Sequence, residues 1–221
     1  MEPFYTFHLE LQKLNKKLLD LSTHIEDRVR KATGLLNHYD EEAAQSLILT
    51  DYEIDEKEVE IEEDCLKILA LHQPVASDLR FVITVIKVNN ELERIGDYVV
   101  NIALRAQTIN QLPNKGFLAE IDFNGMTETV IEMVKTSLDA LVNRDVKLAR
   151  RVFLMDDKVD NYRSFVYRVI KDLIREKPDY PDGLLETYLL ARHLERIADR
   201  TTNIAEETIY LVEGVVTRSK D

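Results

Sequence analysis

The 221-residue chain has 41 acidic and 29 basic residues and a formal charge of −12, which argues against a grip on nucleic acid or anionic lipid, since both need a basic surplus. Six glycines, five prolines, no tryptophan and 45% hydrophobic residues point away from a turn-rich sheet protein and toward an all-α chain of long helices. A lone cysteine, Cys65, excludes an intramolecular disulfide or a thiolate metal site, and no run approaches the ~18–20 apolar residues of a membrane span. With no leader-like start, a cytoplasmic protein without membrane insertion is expected.

In chain order, the first apolar seam is Phe7, Leu11, Leu14, Leu18, Leu21, Ile25 and Val29, with the alternating spacing of four and three that a helix needs to bury one face. It ends near His38 to Asp40, where Asp40 is placed to cap the next helix. The second predicted helix runs from about Glu41 to Leu71 and stops at His72, Gln73 and Pro74, with Cys65 among its core residues. The third begins near Ser77, a suitable cap, and carries the cleanest seam: Phe81, Val85, Val88, Leu92, Ile95, Val99, Ile102 and Ala106.

The turn-forming stretch Gln111, Leu112, Pro113, Asn114, Lys115, Gly116 marks the division into residues 1–113 and 114–221. A fourth helix spans about Thr127 to Asn143. The fifth spans about Asp145 to Glu176, with seam Leu148, Val152, Met155, Val159, Tyr162, Val166, Val169 and Leu173. Pro178 and Pro181 break the chain before a sixth, about Gly183 to Glu213. Long helices on short loops pack antiparallel, so two tandem three-helix bundles related by an internal repeat are predicted.

That repeat is written in the residues. LERIGDYVVNIA from Leu92 returns as LERIADRTTNIA from Leu194, 102 positions on, with eight identities. Each copy sets a Glu and an Asp four apart on one helical face, Glu93 with Asp97 and Glu195 with Asp199, followed one turn later by Asn101 and Asn203. These acids flank the seam, so positions half-buried or at the lip of a helix interface are expected. The neighbouring helix of each half adds its own pair, Asp51 with Asp55 and Asp156 with Asp160, 105 positions apart.

Four carboxylates gathered without a counter-charge raise one another's pKa and oppose folding. The cation is either an arginine, Arg94 and Arg196 being adjacent to the motif glutamates, or a metal ion. Carboxylate and amide oxygens are hard donors that suit Mg, Mn, Ca or iron. The histidines share no spacing; His193 corresponds to Glu91 in the other copy, and the Glu-x-x-His signature of di-iron bundle enzymes is missing. No phosphate-binding glycine loop, nucleophile elbow or metalloprotease helix occurs, so no catalytic residues are assigned and an enzyme is not indicated. A metal-free helical scaffold and a carboxylate-bridged metalloenzyme are the competing readings.

Together LERIGDYVVNIA, ARHLERIADRTTNIAEE, QPVASDLR (Gln73–Arg80) and the paired aspartates at Asp51 and Asp156 make the chain resemble the PhoU family over almost its whole length. The resemblance implies two three-helix bundles whose acidic motifs bind metal, as iron, Mn or Mg. Its candidate ligands are Asp51, Asp55, Glu93, Asp97 and Asn101 in one half, and Asp156, Asp160, Glu195, Asp199 and Asn203 in the other. It also implies a negative regulator of phosphate uptake and phosphate-starvation signalling, acting between the phosphate ABC transporter and a sensor histidine kinase. A homodimer is expected, with Phe4, Tyr5 and Phe117 as candidate contacts.

Overall fold

A computed structural model describes residues 2–113, 121–176 and 180–218, with side chains from Thr6 onward. Among these residues every regular element is a helix: α1 (Glu2–Asn37), α2 (Glu41–Leu49), α3 (Tyr52–His72), α4 (Ala76–Gln111), α5 (Asn124–Asn143), α6 (Val146–Glu176) and α7 (Pro181–Glu213). The predicted seams face inward: Leu14, Leu21, Ile25, Leu92, Ile95 and Ile102 are fully buried. The repeat holds in three dimensions, since Leu21 and Met126, Ile25 and Val130, and Val29 and Val134, each 105 apart, are all buried. Two three-helix bundles result, the first with its middle arm divided into α2 and α3.

One continuous core runs through both halves. They meet along α4 and α7, whose antiparallel course is fixed by Lys87 to Glu207 at one end (2.9 Å) and Arg105 to Glu186 at the other (2.9 Å). Midway, the Tyr98 and His193 rings lie 6.0 Å apart. Cys65 is fully buried, and burial pushes its thiol up to about 12, so it packs as a small apolar group. Among the described residues no helix is long and apolar enough to cross a membrane.

Capping follows the predicted chemistry at equivalent places. Asp40 Oδ1 accepts from Ala43 N (3.1 Å), and 105 residues later Asp145 Oδ1 accepts from Lys147 N (2.8 Å) and Leu148 N (3.1 Å). Ser77, expected as a cap, lies inside α4; the capping position is Val75, which makes no side-chain bond. α5 starts at Asn124 rather than Thr127 because Asp122 Oδ1 accepts from Asn124 N (2.9 Å), and α7 starts at Pro181, a residue suited to a first helical position.

The main departure is the break between α2 and α3, where one helix was predicted. Arg28, 7% exposed, projects from the α1 seam. It donates to Leu47 O (2.8 Å), Thr50 Oγ1 (2.9 Å) and Asp51 Oδ1 (2.7 Å). Carbonyls freed by the break are satisfied by the guanidinium, and Thr50 Oγ1 also bonds back to Ser46 O (2.8 Å). Counting 105 forward from Arg28 gives Met133, fully buried, and there α6 runs unbroken past Asp156. Replacing Arg28 with Met is therefore expected to strand Asp51 and the α2 carbonyls and cost about 2–4 kcal/mol in urea unfolding.

Candidate metal centre

The first acidic group forms where α3 packs on α4. Asp51 immediately precedes α3 as its capping position and Asp55 lies one turn later, while Glu93 and Asp97 project from the face of α4 beside the buried Leu92 and Ile95. Close packing of the two helices is helped by Gly96, where a Cβ would approach Ile54 Cγ2 at 3.3 Å. The carboxylates share one field. Burial raises the pKa of Asp51, opposed by Arg28 and reinforced by Asp55 and Asp97; burial and Asp97 raise that of Glu93; burial and Asp55 raise that of Asp97. Asp51 and Glu93 are half-buried as expected, but Asp55 and Asp97 are exposed, so this group opens to solvent.

The second group repeats the arrangement on α6 and α7 with a different balance. Asp156, Glu195 and Asp199 are half-buried and Asp160 is exposed. Arg163 reaches Glu195 at 3.5 Å, and Arg196 reaches Asp199 at 3.2 Å along its own helix. No cation among the described residues lies within ion-pair distance of Asp156, and its pKa is pushed up to about 6, chiefly by burial and then by Asp199, Asp160, Asp157 and Glu195. Burial and Asp199 likewise raise Glu195, opposed by Arg163 and Arg196.

Each quartet is thus gathered into one electrostatic neighbourhood, yet among the described residues no three His, Cys, Asp or Glu side chains stand ready to hold a metal ion. Arginines occupy part of the space. Sequence reasoning named Arg94 and Arg196 but missed Arg28 and Arg163. The signal for Arg28 was a charge at a seam position, three residues after Ile25, where a guanidinium must find an acceptor. Arg94 instead bonds Asn90 Oδ1 (3.1 Å) on its own helix.

The two asparagines diverge. Asn101 Nδ2 donates to Asp97 O (2.8 Å), while Asn203 lines a cleft between α3, α4 and α7. His193 stands apart from the acids: burial and the nearby Arg105 and Arg192 lower its pKa. As a donor set, the eight carboxylates suit a hard cation, and the raised pKa values mark where added positive charge would be held most favourably.

The sign of the pH effect follows from Asp156. Its pKa, 3.8 in an unperturbed chain, rises to about 6 in the fold, so between these values the folded state holds the proton and the unfolded state does not. Stability then falls as pH rises through this window. In the presence of a chelator, Asp156→Asn is expected to stabilise the fold by about 1–2 kcal/mol at pH 7.5. The variant should also show a smaller difference between pH 5 and pH 7.5, read from urea midpoints.

Comparison with known proteins agrees with this architecture. The PhoU domain model matches twice, over residues 18–106 and 123–208. The chain is 34% identical to the phosphate-specific transport system accessory protein PhoU homolog of Clostridium acetobutylicum, covering 94% of each chain. It is 35% identical to the homolog of Aquifex aeolicus, covering 95% of this chain and 94% of that one. The crystal structure of PhoU from Pseudomonas aeruginosa superposes with a TM-score of 0.88 at 34% identity, covering 95% of this chain and 100% of that one. The phosphate transport system regulatory protein PhoU from Streptococcus pneumoniae does so at 0.84 and 30%, covering 96% and 99%. With both halves matched by the family's domain and relatives of its own length above 30% identity, the chain belongs to the PhoU family.

Proposed function

We propose that this chain is an accessory protein of a phosphate-specific transport system, a metal-binding adaptor that restrains phosphate uptake and phosphate-starvation signalling from a position between the phosphate ABC transporter and a sensor histidine kinase. The observation that supports it most is the pair of carboxylate quartets, one per bundle, in a chain related over nearly its full length to proteins named for that system. In this reading Asp51, Asp55, Glu93 and Asp97, and Asp156, Asp160, Glu195 and Asp199, hold iron, Mn or Mg through oxygen, with Asn101 and Asn203 in support. The ion supplies counter-charge and ties neighbouring helices together. Binding, not turnover, is the chemistry, in keeping with relatives named as accessory and regulatory proteins. Cytoplasmic location and a homodimer belong to the same proposal; the side chains of Phe4 and Tyr5, and Phe117 altogether, lie outside the described residues.

The competing reading, a metal-free scaffold, is favoured by the ion pairs that Arg28, Arg163 and Arg196 make with three of the eight acids. Elemental analysis of protein purified without chelator separates the two. An adaptor of the proposed kind carries bound iron, Mn or Mg that is lost in a Glu93→Gln, Asp97→Asn, Asp156→Asn, Asp199→Asn variant. A scaffold carries none, and the same variant is simply more stable.

The regulatory part has its own test. Deletion of the gene is expected to raise alkaline phosphatase output and phosphate uptake in phosphate-rich medium, with restoration by the wild-type chain. Unchanged output and uptake in the deletion strain would count against that role.

A further inference from the structure

A third acidic locus adjoins the two quartets, with Asn203 on its wall and its Glu58 near Asp55. A cleft of about 490 Å³ opens where α3, α4 and α7 meet, and five glutamates line it: Glu58 and Glu62 from α3, Glu91 from α4, Glu206 and Glu207 from α7. Among the described residues three cationic side chains pair with them. Lys87 holds Glu207 at 2.9 Å, Arg200 holds Glu91 at 3.3 Å, and Arg218 lies 3.7 Å from Glu206.

A buried group of another kind lines the same cleft. Asn89 is 1% exposed, and its Nδ2 donates to Glu58 O (2.8 Å), which orients the amide. Its Oδ1 is buried without a hydrogen-bond partner. Such an acceptor costs roughly 1–3 kcal/mol unless something donates to it. Among the described residues three cationic side chains face five carboxylates here, so the locus gains from added positive charge.

The internal repeat supplies a control. At the corresponding end of the α4–α7 seam, Glu58 becomes Arg163, Glu62 becomes Tyr167, Asn89 becomes Ala191, Glu91 becomes His193 and Glu207 becomes Arg105. There the Tyr167 and Tyr188 rings pack 5.7 Å apart. The same backbone therefore does not require the acids or the buried acceptor; they are particular to one end.

We propose that this cleft binds a divalent cation, magnesium by its chemistry, through the ion's water shell, with Asn89 Oδ1 and the glutamates accepting hydrogen bonds from the bound waters. Outer-sphere binding follows from two facts. Three of the carboxylates are already held by Lys87, Arg200 and Arg218, and among the described residues no three acids converge on a common point for direct ligation. Magnesium gives up its waters reluctantly, and six waters at roughly 30 Å³ each need only about 180 Å³. The site does not rest on the regulatory role proposed above, and although Asn203 lines it and Asp55 lies near Glu58, its test separates it from the two quartets.

Hexaamminecobalt(III), whose ammines do not exchange, is the probe, because it binds only through its shell and cannot enter a direct carboxylate site. Titrated into the ¹⁵N-labelled full chain, it is expected to shift the amides around Asn89 and Glu206 saturably, with magnesium competing. Glu62→Lys, a change at an exposed residue, should weaken binding by about tenfold with the helical circular dichroism unchanged. Asn89→Ala should weaken it too, whereas Asp97→Asn and Asp156→Asn should leave it nearly as it was. Non-saturating shifts spread over the acidic surface, shifts centred on the quartets, or binding indifferent to Glu62→Lys would each overturn the proposal.

Discussion

Carboxylates placed beside an apolar seam must be neutralised, and this constraint organises both halves of the molecule. Glu93 and Glu195 each sit next to a fully buried leucine, so the helix packing that makes the core also strips water from the acids. Their neighbours on α3 and α6 then add like charge. Only three answers are open to such a group: an arginine, a proton or a bound cation. The first half uses the first answer at Asp51, through the buried Arg28. In the second half Asp156 has no cation within ion-pair distance among the described residues, so burial and its acidic neighbours push its pKa up to about 6 and the proton becomes its partner only below that pH.

The arginine that neutralises Asp51 also decides local backbone shape. A guanidinium presents its donors in a fixed fork, and the two terminal nitrogens of Arg28 reach a carboxylate, a hydroxyl and carbonyl oxygens at the end of α2, while its buried Nε finds no partner. Where Met133 replaces it, no donors remain to satisfy carbonyls freed by a break, and α6 continues as one helix. Thus a single side chain links charge balance to helix continuity, and the repeat shows both outcomes in one chain.

Most of the fold was legible in the sequence because seams report it directly: the helical period, the prolines and the capping aspartate Asp40 each act locally. The α2–α3 break was not legible, since Glu41 to His72 is uniformly helix-compatible and the cause sits on another helix, more than twenty residues earlier. The acid pairs stood out in the sequence because the repeat doubled the signal, and in the fold the members of each quartet act on one another's pKa. Which acids would be half-buried and which would lie at the lip was not legible: Asp51 and Glu93 are half-buried, whereas Asp55 and Asp97 are exposed. Arg163 was missed because it contacts Glu195 only through the packing of α6 on α7.

Divergence after duplication has left the two acidic groups unequal toward any cation. An ion approaching the first must share Asp51 with a guanidinium that also holds the end of α2, so full engagement there pulls against a structural contact. An ion approaching the second needs to displace a proton from Asp156 and to loosen Arg163 and Arg196, both of which lie nearer the surface and hold longer pairs. A cation bound at the second group would be held more tightly as pH passes the raised pKa of Asp156, whereas at Asp51 the guanidinium of Arg28 offsets part of the rise that burial causes.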